Sequence, residues 1–271
     1  NMDHVMNADE TNGLKRNSAD EVFAFIDKEC DAIKDSIIVD YTSLGDLMLG
    51  NAETGRANQL AVLALKARAA LYHASPLFNT SNDKELWHQA ALAQKALLDS
   101  ANEQGRNLCN KYESLWSENA YIDAQPYAEI IFSYRVAANN KFESWNFPTG
   151  VEGGSGGNCP TQNLVDAYEM KATGLPITDA ASGYDETHPY VGRDPRFEAT
   201  IAHNGTGSGT ATDPYWPTYN AQPLETYYNG RNGQPLSTGT PTGYYLKKYC
   251  NKSVDLRSGK VNKMNHQYII F

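Results

Sequence analysis

The chain has 271 residues, enough to bury a substantial core as one large domain or two smaller ones. Asp and Glu number 32 against 23 Lys and Arg, a formal net charge of -9 without a clustered basic stripe, which argues against a nucleic-acid partner. No run approaches the ~20 apolar residues of a membrane-spanning helix. The 17 tyrosines alongside 21 glycines and 12 prolines are unusual for a plain helical bundle and predict long aromatic loops. Four widely spaced cysteines make no CxxC and no zinc spacing.

In chain order, residues 1–12 read as a polar loop without a signal-peptide core or a lipidation Cys. Ser18 and Glu21 make a capping box, and Val22, Ile26, Cys30, Ile33 and Ile37 then form one apolar face through about residue 38. Cys30 falls on that face and is expected as a small buried residue; Cys109, Cys159 and Cys250 cannot be paired from spacing. A connector holding Gly45, Gly50 and Gly55 leads into an Ala-rich helix over 54–78. There Leu60, Leu63, Ala64, Ala67, Ala70, Leu71 and Ala74 recur every three to four residues. Such a narrow seam lets another helix approach closely, and Pro76 should end it. A cap around Asn82 and Glu85 opens a second Ala-rich helix to about Ala101, giving a tetratricopeptide-like hairpin without a clean 34-residue repeat. Trp87 and Trp116 are expected in the core.

A short helical turn at 111–116 and a strand at 129–134 follow, and from Phe142 aromatics and glycines dominate. Thr161 should cap a helix carrying Leu164, Val165 and Tyr168. Residues 204–243 read as one long loop, and 244–250 and 266–271 as extended segments. The expected fold class is therefore mainly α: helical hairpins over 1–141, packed against a loop-rich, irregular part over 142–271 with a few short strands. The bare start and the apolar end predict flanking sequence on both sides.

Chemistry is sparse. The six histidines form no close ligand pair, and no metal or cofactor is expected. His73 reads as meeting solvent or a neighbouring helix. Glu152, Asp166, Asp185, Glu186 and Asp213 are acids in aromatic surroundings, but a hydrolase needs two of them across one bond, so no catalytic residue is assigned. The run 153–157 (GGSGG) lacks the Lys of a phosphate loop and reads as a flexible surface loop. The aromatic clusters carry more weight: Trp145 and Phe147; Tyr215, Trp216 and Tyr219; Tyr227 and Tyr228. Flat ring faces beside amide and carboxylate groups suit a sugar. The alternative for each ring is that it pins a loop.

The segments GRANQLAVLALKARAALYHASPLFN (55–79), PTQNLVDAYEM (160–170), GRDPRFEATIAHNG (192–205), GYYLKKYC (243–250) and NHQYIIF (265–271) together resemble the SusD/RagB family of outer-membrane nutrient-binding lipoproteins of Bacteroidetes. The resemblance implies a mostly α-helical, tetratricopeptide-like fold and a role in capturing glycans or oligosaccharides without catalysis. It also implies a SusC-like TonB-dependent porin as partner, and a cell-surface place on the outer membrane through a lipid anchor not in this chain. Arg193, Asp194, Pro195, Arg196 and Phe197 match a family hallmark and are expected to be structural, Arg193 and Asp194 forming a paired turn and Phe197 packing inward. The readings kept beside it are a helix-rich carbohydrate-active hydrolase using paired carboxylates, and a partner-binding scaffold without sugar affinity.

Overall fold

The computed structural model describes residues 5–41, 55–116, 128–258 and 264–271; Gly45, Gly50 and Thr54 of the expected connector and helix start lie outside them. Helix is the main regular structure, in a tetratricopeptide-like arrangement, and the strands form two small antiparallel sheets. Contacts divide the chain into two units, Asn1–Asn107 with Ile270–Phe271, and Leu108–Ile269. No described helix is long and apolar enough to cross a membrane.

The first unit is built from α1 (Ala8–Gly13), α2 (Ala19–Ile33), α3 (Gln59–Ala74) and α4 (Lys84–Glu103). Short α1 replaces the expected loop, because Asn7 and Glu10 form a reciprocal capping box. The same device opens α2: the Ser18 side chain accepts from Glu21 N and the Glu21 carboxylate accepts from Ser18 N. α3 buries Leu60, Ala61, Val62, Ala64, Ala67 and Ala74, so small residues let α2 and α4 pack close to its backbone. It begins at an Asn58 cap and stops at Ala74, just before Pro76. Buried Asn79 clamps the turn that follows. Its amide donates to Ala74 O and Asp83 O at 3.3 and 2.9 Å and accepts from Asp83 N at 2.7 Å. The α4 cap is Asp83, one residue beyond the expected position, with Asn82 in the left-handed region at φ 53°. Across α2 and α3, Lys66 bridges Asp27 and Asp31 at 3.1 and 2.6 Å. His73 meets Asp20 at 3.0 Å and stacks on Phe23. Cys30 is buried as expected, whereas Trp87 is 41% exposed on α4 rather than in the core.

In the second unit a 3-10 turn (Tyr112–Trp116) buries Leu115 and Trp116 beside Ile130 and Ala199. Strand β1 (Ser133–Asn139) lies four residues later than expected and pairs antiparallel with β4 (Met264–Ile269), Ser133 opposite Ile269 and Tyr134 opposite Tyr268. Helix α5 (Lys141–Asn146) follows directly, then α6 (Gln162–Asp166) with Thr161 as its cap. Helix α7 (Pro195–Thr200) runs into β2 (Ile201–Ala202), which pairs with β3 (Tyr245–Leu246). Residues 204–243 are almost all loop, as expected, interrupted by one 3-10 turn at Thr218–Asn220. The core beneath them gathers Phe147, Ala202, Trp216, Leu224, Tyr245, Cys250 and Val254. All four cysteines are free, and burial pushes the Cys250 thiol well up.

Candidate functional site

The loops of the second unit have little regular hydrogen bonding, so side chains order them instead. Buried Asn232 is the central tie: its amide donates to Thr149 O at 2.8 Å and accepts from Glu225 N at 3.0 Å. The Tyr245 hydroxyl donates to Asn232 O at 2.6 Å and accepts from Thr240 N at 3.1 Å. The Thr149 hydroxyl reaches Thr238 O at 2.6 Å. These bonds lace the segment after α5 to the loop over 225–240. The fit is close: a Cβ on Gly150, at φ +88°, would lie 2.1 Å from Arg231 O. The glycine run is part of this lacing and not a free loop. Gly156 N donates to Phe147 O and Gly157 N to Trp145 O, which spends the amides a phosphate nest would need.

The seven aromatic candidates separate by burial. Trp145 is 68% exposed, Tyr227 55% and Tyr228 70%, and they ride on the two segments that Asn232 and Thr149 fasten together. Phe147 and Trp216 are 0% and 2% exposed and meet edge to face at 5.5 Å, so they hold loops from below and offer no ring face to solvent. Trp145 and Phe147 part because α5 buries Glu143, Asn146 and Phe147, an i, i+3, i+4 face, and turns Trp145 outward. Tyr219 lies half-buried beside Phe147, its hydroxyl donating to Glu152 O at 2.6 Å with the Arg257 guanidinium 5.4 Å over its ring. Burial, helped by nearby Asp255, pushes that phenol up to about 12, so it stays a donor. Tyr215 is also half-buried, against Gly209, where a Cβ would come within 2.5 Å of the ring.

The Arg193–Phe197 segment is a joint. Buried Arg193 donates to Pro189 O, Val165 O and Tyr168 O at 2.9, 2.6 and 2.8 Å, tying the end of α6 to the start of α7. Asp194 caps α7 and pairs with Arg196, at 2.5 Å, and not with Arg193; that bond holds the Asp194 carboxyl below its usual range. Pro195 fills the first helical position, and Phe197 is fully buried under Tyr168, Tyr190 and His203.

The acids serve local structure. Burial raises the Asp213 carboxyl, but hydrogen bonds from Ser208 N and Gly207 N outweigh it and leave the group below its ordinary value. Asp185 is lowered to about 2, chiefly by the His188 hydrogen bond, with Thr187 adding to it. Asp166 accepts from the Gln162 side chain at 2.7 Å and Glu152 from Ser258 N at 3.3 Å. Glu186 is exposed. Among the described residues no three His, Cys, Asp or Glu side chains are grouped to hold a metal. Sequence reading missed a cavity of about 630 Å3 in this unit, lined in part by Trp116, Glu198, His203, Asp213, Trp216 and Lys247. Its walls come from segments more than 100 residues apart, so no local motif marks it.

Among solved structures, the chain is similar to a SusD-like protein from Bacteroides fragilis NCTC 9343, with a TM-score of 0.70 and 23% identity over 99% of this chain and 50% of that one. A SusD-like carbohydrate binding protein from the same organism gives a TM-score of 0.64 and 20% identity, over 99% of this chain and 47% of the other. The chain thus spans about half the length of either, and at these identities the likeness concerns the fold. No curated protein matches the sequence. The model of the SusD family matches residues 100–271, which is most of the chain, and the chain belongs to that family.

Proposed function

We propose that the protein captures glycans or oligosaccharides at the cell surface, without catalysis, for delivery to a TonB-dependent outer-membrane transporter. The observation that carries this reading is the set of exposed rings, Trp145, Tyr227 and Tyr228, on two segments that hydrogen bonds from Asn232 and Thr149 fasten together. Flat ring faces offer apolar surface that a sugar can stack on, and an ordered platform loses little entropy on binding. Membership of the SusD family supports the reading, as does the description of one similar structure as a carbohydrate binding protein. Tyr215 and Tyr219, half-buried, belong to the edge of the proposed surface; Phe147 and Trp216 support it from within. A lipid anchor would place the protein on the outer membrane.

Titration with a panel of oligosaccharides tests the proposal. At least one glycan should bind, and Trp145→Ala or Tyr228→Ala should weaken it about three- to tenfold, the size expected for one aromatic contact. Failure of every glycan, or affinity unchanged in both variants, contradicts it. Release of a shortened sugar on incubation would favour a hydrolase.

A further inference from the structure

The cavity of about 630 Å3 in the second unit has the size of a small-molecule site, and neither Trp145, Tyr227 nor Tyr228 lines it. Most acceptors in its wall are already committed. The Asp213 carboxylate takes Gly207 N at 3.0 Å and Ser208 N at 2.7 Å. Glu198 Oε1 lies 3.1 Å from His203 Nε2, while His203 Nδ1 lies 2.8 Å from Asn204 O. Both ring nitrogens of His203 therefore face oxygens that only accept.

Two donors in the same wall are not committed. The Trp216 indole N–H is buried and has no hydrogen-bond partner among the described residues. The backbone N–H of Lys247 donates to Thr200 O at 2.8 Å, but among the described residues its ammonium makes no direct hydrogen bond or ion pair. Burial lowers the Lys247 ammonium below its ordinary value, against the opposing attraction of Glu198, Asp213 and Glu113. A buried donor without an acceptor is costly, and a ligand that supplies one recovers that cost. Glu198 is engaged by His203, and Glu113 and Asp213 stand against Lys247 and Lys252 around the cavity. That setting suits a monoanion better than a phosphate dianion, which would meet three carboxylates with too few cations. Trp116, Ala199 and Pro214 supply apolar wall for the body of the ligand.

We propose that this cavity binds a small carboxylate-bearing molecule, with the carboxylate on the Lys247 ammonium and an acceptor oxygen for the Trp216 N–H. The source of the carboxylate is either an acidic sugar or a simple organic acid. The site is separate from the exposed rings, so glycan capture there and acid binding here fail independently.

Calorimetric titration of the full chain with glucuronate, acetate and glucose tests it. Glucuronate should bind and glucose should not. Glucuronate binding well above acetate assigns the cavity to acidic sugars; equal affinities assign it to simple acids. Lys247→Met should cost about ten- to hundredfold, the size of a lost charge-assisted hydrogen bond. Trp216→Phe, which keeps a ring but removes the N–H, should cost several-fold, and exposed Lys171→Met should change nothing. Independently of any variant, saturating glucuronate should slow reductive methylation of Lys247 and not of Lys171. Failure of both acids to bind, glucose binding as well as glucuronate, full affinity in Lys247→Met, or no protection of Lys247 would each overturn the proposal.

Discussion

The two units are ordered by different means. In the first, α3 and α4 satisfy their own backbones, and a seam of Ala61, Ala64 and Ala67 decides how closely helices approach. In the second, most backbone is irregular, and single buried side chains such as Asn232 and Arg193 each satisfy several backbone groups at once. A seam distributes stability over many small contacts; a tie concentrates it. The second unit therefore has more to lose from one substitution, and it is also where the exposed rings and the cavity lie.

Substitutions graded by size test that contrast. Arg193→Met should be the most damaging, destabilising by about 3 kcal/mol or more, because it leaves three carbonyls at the joint of α6 and α7 without their donor. Chemical denaturation read by near-ultraviolet circular dichroism measures it; a loss below about 1 kcal/mol would break the idea that ties dominate there. Ala67→Leu should cost about 2 kcal/mol by overpacking the α3 seam, measured by the same method on far-ultraviolet signal. Ser18→Ala should cost about 1 kcal/mol through loss of the α2 cap.

The smallest expected effect is one of pH. Asp213 is held below its ordinary value in the fold, so its contribution is fully present above the unfolded carboxylate value of about 4. It is lost as pH falls through the lower folded value. Fluorescence in the Trp216 region should therefore change in acid below about pH 4, and Asp213→Asn should flatten that change. An identical acid response in the variant would assign the change to other carboxylates.

Much of the first unit was legible because its determinants lie within one or two helical turns. Ser18 with Glu21 predicts α2, and the Ala and Leu spacing predicts α3, with its start corrected to Gln59. Ser133–Asn139 was misplaced because its pairing partner, Met264–Ile269, lies more than 120 residues away. The Arg193–Phe197 motif was recognised, but the expected pairing of Arg193 with Asp194 was not found. Two carbonyls from the distant end of α6 and one from Pro189 take the guanidinium, leaving Asp194 to cap α7 and bind Arg196. The contrast between Trp145 and Phe147 was present in the spacing of Glu143, Asn146 and Phe147, although the shortness of α5 concealed it. Nothing local foretold that Asn232 would join Thr149 to Glu225, or that Lys247 and Trp216 would share a cavity.

Titration of one glycan found on the panel against the native chain and the double variant Trp145→Ala with Tyr228→Ala tests the central claim most directly. Capture by rings on a side-chain-laced platform predicts that the double variant keeps its fold, by circular dichroism, and loses about ten- to hundredfold in affinity. Native affinity in the folded double variant would contradict it.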